Sequence, residues 1–286
     1  MQKETRKKLS WQNRLLIIIC AVLFFAVAVL GVLGLGVRYT EKHWDYWSPD
    51  YEKRDILPLL QKDERTEEDY RVLYEQTGLT KIGVDGLLDE NKIARILTIQ
   101  EYFFSKPKLE TSRFAPFTYL EEVDGIAPLA ILEDGDVIVS ATTRVSWWRY
   151  GHSALVVDGD GGVILEALEP GSKSRCAHAS TMANLANFMV LRPKLDKSVR
   201  NEVAAYALKN LRDVPYRLTV GVFSKKYDPD TIKGTQCAHL VWYAYKKFGV
   251  DLDANGGGIV KPQDMARSSQ VEVVQTFGFN LDRLWS

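Results

Sequence analysis

The chain has 286 residues, 46% of them hydrophobic and 26% charged, with 37 basic side chains balancing 37 acidic ones. That composition excludes a disordered or collagen-like protein and leaves room for one large domain or two ordinary ones. A formal net charge of zero argues against a nucleic-acid binder, which needs a basic surface to release counterions.

The zero is an average over unlike parts. Residues 1–14 carry five basic groups (Lys3, Arg6, Lys7, Lys8, Arg14) against Glu4, and the remainder holds 32 basic and 36 acidic residues. From Leu15 to Val37 there are 23 residues without a charge, which as a helix span about 34 Å, enough to cross a bilayer. A cleaved signal peptide has a shorter apolar core with a small-x-small site after it, whereas Ala26-Val27-Ala28 lies inside this stretch. Tyr39, Trp44, Tyr46 and Trp47 follow as an expected interfacial belt. The positive-inside rule keeps residues 1–14 in the cytoplasm and places the rest of the chain outside. The expectation is a single-pass cell-membrane protein anchored through residues 15–37.

Residues 38–129 read as a charged, helical stalk or lid. Thr66-Glu67-Glu68-Asp69 opens a helix as a capping box, and Gly78 closes it as a C′ residue. A second helix is predicted from Leu87 to Phe104, before Pro107. From about Ile131 the pattern changes to short strands at residues 136–140, 152–157, 163–168 and 187–191. Helices follow at 198–211 and 236–248, and a last strand at 271–277. Strands followed by helices predict an α+β domain over residues 130–286.

Within that domain Cys237 starts a helix. Cys237, Leu240, Val241, Ala244 and Phe248 form one stripe, so the cysteine faces the packing partner. A helix N-terminus favours the thiolate, the nucleophilic form. Such a nucleophile needs a base. His239 points about 200° around the helix from Cys237, and His43 sits at the membrane belt. His178 lies in a loop. His152 opens a strand of otherwise apolar residues, and Glu166 is the polar exception on the next strand. With residues 158–162 as the loop, Val157 pairs with Val163 and Ala154 with Glu166. His152 and Glu166 then become diagonal neighbours about 7 Å apart at the backbone. A carboxylate bridging that gap orients the imidazole and raises its basicity. Two readings compete with a triad: packing roles for all three residues, and a disulfide between Cys176 and Cys237 in an exported protein.

The stretches Gly135-Asp136-Val137-Ile138, Tyr150-Gly151-His152-Ser153-Ala154, Pro215-Tyr216 and Gln236-Cys237-Ala238-His239-Leu240-Val241, with Glu166, resemble the permuted NlpC-type cysteine hydrolases. The nearest branch is the YiiX-like one, with lecithin retinol acyltransferase more distant. The chain order His152, Glu166, Cys237 is that of the circularly permuted members, and residues 257–264 with Ser268 are similar to their C-terminal segment. The resemblance covers residues 131–277 and implies a permuted papain-like fold, with Cys237 as nucleophile, His152 as general base and Glu166 as orienter. Tyr216 is expected to wall the substrate pocket. No metal or organic cofactor is implied. The expected substrate is a cell-wall (peptidoglycan) peptide, cleaved through an acyl-enzyme. The alternatives are a lipid acyl substrate, hydrolysed or transferred, and an inactive envelope-anchored binding module.

Overall fold

A computed structural model describes residues 10–43, 46–115, 117–145 and 148–282. The chain divides into two units, residues 1–44 and 45–286. The first is one helix, α1 (Trp11–His43), and its stretch Trp11–Gly36 is long and apolar enough to cross a membrane. The helix outruns the expected 15–37 span at both ends. The basic residues expected to orient it, apart from Arg14, and Trp44 of the expected belt lie outside the described residues.

The second unit opens with four helices: α2 (Leu57–Leu60), α3 (Glu67–Thr77), α4 (Lys81–Asp89) and α5 (Ile93–Phe103). Thr66 and Asp69 close the predicted capping box on α3, and Gly78 ends it in the left-handed conformation. The single helix predicted over 87–104 is instead interrupted. Asn91 adopts φ 56°, and the amides of Asn91 and Lys92 return to the carbonyls of Leu88 and Leu87 at 2.8 Å, a Schellman closure for which the polar Glu90-Asn91-Lys92 run is suited. The expected belt is also revised: Tyr46 packs on Phe277 and Trp47 on Phe103, so both belong to this unit's own core.

Strands β1 (Leu109–Ala115) and β2 (Thr118–Val123) follow, in a stretch expected to be helical. Then come β3 (Val137–Ser140), β4 (Thr143–Val145), β5 (Trp148–Arg149), β6 (His152–Asp158), β7 (Val163–Glu166) and β8 (Arg175–His178). After them run α6 (Ser180–Ala183), β9 (Phe188–Pro193), α7 (Lys197–Asn210), α8 (Cys237–Lys247), α9 (Pro262–Ala266) and β10 (Val271–Phe277). Six strands form one sheet in the order β10-β9-β3-β6-β7-β8, and four form a smaller one, β1-β2-β4-β5. Every ladder in both is antiparallel, and the architecture is α+β.

Strand alternation sorts the core into two layers. Val137, Val139, Leu155, Leu165 and Leu191 pack with Leu240, Val241 and Ala244 of α8 and Val203 and Ala207 of α7. Ile138, Ala154, Val156, Ile164 and Val190 face the other way, onto Leu73, Leu87, Ile96 and Ile99 of α3 to α5. Because helices cover both faces, the central strands read as continuous apolar runs. The segment expected as a stalk or lid thus supplies the second covering layer of the sheet.

The register carries one irregularity that matters for the site. Ala154 pairs with Glu166, Leu155 with Leu165 and Val156 with Ile164, as expected, but Asp158 rather than Val157 pairs with Val163. The loop is therefore four residues long, which alone would reverse the parity. A bulge at Val157 absorbs the difference and keeps His152 and Glu166 in their expected relation.

Candidate active site

Cys237 takes the first helical position of α8, after Gln236 as N-cap. The Gln236 side chain accepts from the Ala238 amide at 2.8 Å and from the Cys237 thiol at 3.3 Å, and donates to the Val260 carbonyl at 2.7 Å. One amide thus ties the helix start to the loop before α9. Among the described residues the Cys237 N–H has no protein acceptor, as befits the first turn of a helix. Both Cys237 and Cys176 are free thiols, so the disulfide reading does not apply to this structure.

His152 and Glu166 are both buried, and Nε2 of the imidazole lies 2.9 Å from Oε2 of the carboxylate. A carboxylate only accepts, so Nε2 carries a proton and Nδ1 is the nitrogen through which the imidazole gains or gives up its second one. Burial disfavours the imidazolium, but the Cys237 thiol and the Glu166 carboxylate, both within interaction range, outweigh it and raise the His152 pKa. Burial likewise opposes ionisation of Glu166, and His152 and Arg175 overcome it and hold its pKa below the ordinary value. The two shifts agree in sense: the geometry favours a charged pair. The structure therefore brings Cys237, His152 and Glu166 into one cluster.

Tyr216 is half-buried beside this cluster. It bridges to Thr235, and burial together with the Cys237 charge raises its phenol pKa. It packs with the α8 core layer. The other histidines stand apart. Nε2–H of His239 donates to the Lys226 carbonyl at 2.7 Å, so Nδ1 accepts from the Thr235 hydroxyl at 3.0 Å, and burial lowers its pKa to about 4. It is a neutral, satisfied core residue. His178 bonds Ser180 at the surface.

Three contributors were not assigned roles from the sequence. Arg175 on β8 lies opposite Glu166 and donates to its Oε1, Gln236 anchors the helix start, and Tyr150 stands near enough for the Cys237 charge to help raise its phenol pKa, after the larger effect of burial. Gln236 and Tyr150 sit within the quoted motifs, while Arg175 became visible only with the β7–β8 register.

Cys237 opens onto a groove of about 290 Å³. Its walls are mainly Val145, Trp148, Leu218, Val222, Ile259 and Pro262, with Tyr150 beside the sulfur and Thr219 and Lys261 as polar members. The smaller sheet supplies one wall through β4 and β5, held by Glu121, whose carboxylate takes Arg144 Nε at 2.6 Å and Arg149 Nη2 at 3.0 Å. A thiol beside an acidic-oriented imidazole, at a helix start and in an apolar groove, is equipped for nucleophilic attack on a carbonyl. No cluster of side chains suited to a metal ion occurs among the described residues. Comparison of the chain with known protein families, curated proteins and solved structures returns no match.

Proposed function

We propose that this chain is a membrane-anchored, thiol-dependent acyl hydrolase or acyltransferase of the permuted papain-like kind. The carrying observation is the 2.9 Å contact of His152 with Glu166 in the same buried cluster as the helix-starting Cys237. The Cys237 sulfur adds to the substrate carbonyl carbon as the thiolate, its proton held at Nδ1 of the His152 imidazolium. The carbonyl oxygen develops negative charge beside the Cys237 N–H, a type of contact worth about 3 kcal/mol in a buried site. Collapse breaks the bond to the leaving group, which takes the proton from His152 and departs. Water, deprotonated by the same nitrogen, or an acceptor hydroxyl or amine then releases the acyl group and restores the thiol.

The groove supports a fatty-acyl group over the cell-wall peptide expected from the sequence. Apolar walls stabilise each buried methylene by about 0.8 kcal/mol, whereas a peptide would leave its amides and carboxylates against surfaces without partners. The apolar helix α1 supports the same choice, since it would hold the enzyme at a source of acylated lipid.

The test is to incubate the full-length protein in detergent with a p-nitrophenyl palmitate series and, in parallel, with purified muropeptides. The expected result is an acyl adduct on the Cys237 peptide by mass spectrometry, absent in Cys237→Ala. Turnover that survives Cys237→Ala removes the assignment, and turnover of muropeptides alone restores the cell-wall reading.

A further inference from the structure

The loop between Tyr216 and Gln236 has a composition that the chemistry at Cys237 does not use. Successive turns over residues 217–223 turn apolar side chains outward: Leu218 is 48% exposed, Val222 51% and Phe223 85%. Trp148, which lines the same groove, is 56% exposed. Exposed single apolar residues are ordinary, but three lining one groove, with Phe223 next to them in the chain, are not.

The loop is held in this shape. Gly221 has φ +87°, and a Cβ there would meet the Gly258 carbonyl oxygen at 1.8 Å, so the two loops flanking the groove touch backbone to backbone. Lys226 anchors the following segment through Asp253 and the Gly257 carbonyl.

The flank of the apolar tip is cationic. Residues 217–234 hold four basic and two acidic side chains, Asp228 and Asp230 being the acids. Arg217, Lys225 and Lys233 form no ion pair among the described residues and line one shared pocket beside the loop. An apolar tip with three unpaired cations on one flank, and Asp228 in the same pocket, matches the layering of an anionic bilayer surface, with acyl chains beneath and negative headgroups above. A protein partner would need acidic side chains around an apolar socket. The bilayer is favoured because α1, in the same chain, is long and apolar enough to sit in one.

We propose that residues 217–233, with Trp148, form a docking surface for an anionic lipid bilayer, Phe223, Val222 and Leu218 entering the interface while Arg217, Lys225 and Lys233 meet the headgroups. Docking sets the mouth of the groove against the lipid. The inference stands on this surface and on α1 as the membrane anchor proposed above, and does not depend on Cys237 being a nucleophile.

The full chain, with Cys20→Ser, Cys176→Ser and Cys237→Ser, is labelled with bimane at Ser224→Cys and placed in nanodiscs of phosphatidylglycerol carrying brominated acyl chains. A second preparation carries the label at the exposed Thr98→Cys on α5, which covers the other face of the sheet. The expected result is strong quenching at 224 and little at 98. Adding Val222→Ser and Phe223→Ser should weaken docking by roughly a hundredfold or more, the scale of one lost aromatic and one lost aliphatic burial. Phosphatidylcholine discs should weaken it by roughly thirty- to 150-fold, as attraction at two or three cations is lost. Quenching at 224 no greater than at 98 overturns the proposal, and so does equal quenching in the two lipids. Because the reporter protein lacks Cys237, loss of docking and loss of the catalytic reading are separate outcomes.

Discussion

Arg175 stands directly across the β7–β8 ladder from Glu166 and donates to its Oε1 from both Nε and Nη2 at 3.2 Å, while Oε2 of the same carboxylate takes His152. One carboxylate is thus shared between an exposed guanidinium and a buried imidazole. Arg175 acts on His152 only through Glu166, which makes it a positioning residue. Replacing it with Gln removes the cation that favours ionised Glu166. The acid limb of the pH–activity profile should move to higher pH. The rate at neutral pH should fall by no more than roughly fivefold, the scale of a solvent-exposed pair. Arg175→Lys should restore only part of the limb, because a lysine lacks the fork of two donors. An unmoved limb in Arg175→Gln would show that the contact is ornamental.

The pair itself sets a pH window for stability. Glu166 titrates below its ordinary value of 4.5 when folded, so its stabilisation is present above that pH and lost as pH falls through the lowered value. His152 titrates above its ordinary value of 6.5, so its stabilisation is complete below that pH and is lost as pH rises through the raised value. Both contributions are full between about pH 4.5 and 6.5. Thermal unfolding of the wild type and Glu166→Gln, measured from pH 3 to 10, should differ most inside that window and converge at both ends. A difference that grows steadily toward alkaline pH would contradict this assignment of charge.

A second buried carboxylate tests the sheet. Asp136 is fully buried and held by Arg192 Nε at 2.9 Å and Nη2 at 2.8 Å, with a further bond from the Glu133 amide at 2.8 Å. Burial outweighs these partners and raises the carboxyl pKa. Arg192→Ala leaves that group without its cation and should destabilise by about 3–5 kcal/mol in chemical denaturation. Arg192→Ala combined with Asp136→Asn should recover part of the loss, whereas an unrelieved double variant would indicate that Arg192 acts by packing.

The groove predicts a chain-length preference. Ile259→Trp fills volume beside Cys237 without touching His152 or Glu166. Esters of long acyl chains should lose turnover by roughly fourfold for each methylene excluded from the groove, while acetyl esters keep theirs. Equal losses across the series would mean that the acyl chain lies elsewhere.

Much of this was legible in the chain because the signals were local. Thr66, Asp69 and Gly78 are read from their own neighbours, and each sits where its capping role requires. The pairing of Ala154 with Glu166 was read from a loop at 158–162, whereas the loop is one residue shorter and the bulge at Val157 restores the pairing. The interruption at Asn91 was missed because a polar residue in the left-handed region looks like an ordinary solvated helix position. Strands β1 and β2 were missed because their pattern is charged and half-exposed, with only a small sheet to complete it. The groove and Arg175 are tertiary facts: the groove walls come from residues 145 to 262, and Arg175 meets Glu166 only after a β7–β8 connection of eight residues.

The bulge at Val157 also gives the β6–β7 hairpin slack in its sequence length. Deleting one residue from positions 159–162 changes the connection by one, and flattening the bulge restores a continuous ladder from Ala154–Glu166 outward. Inserting one residue there lengthens a solvent-facing loop and leaves the bulge and the ladder as they are. The hairpin should therefore accept a change of one residue in either direction while His152 and Glu166 stay paired.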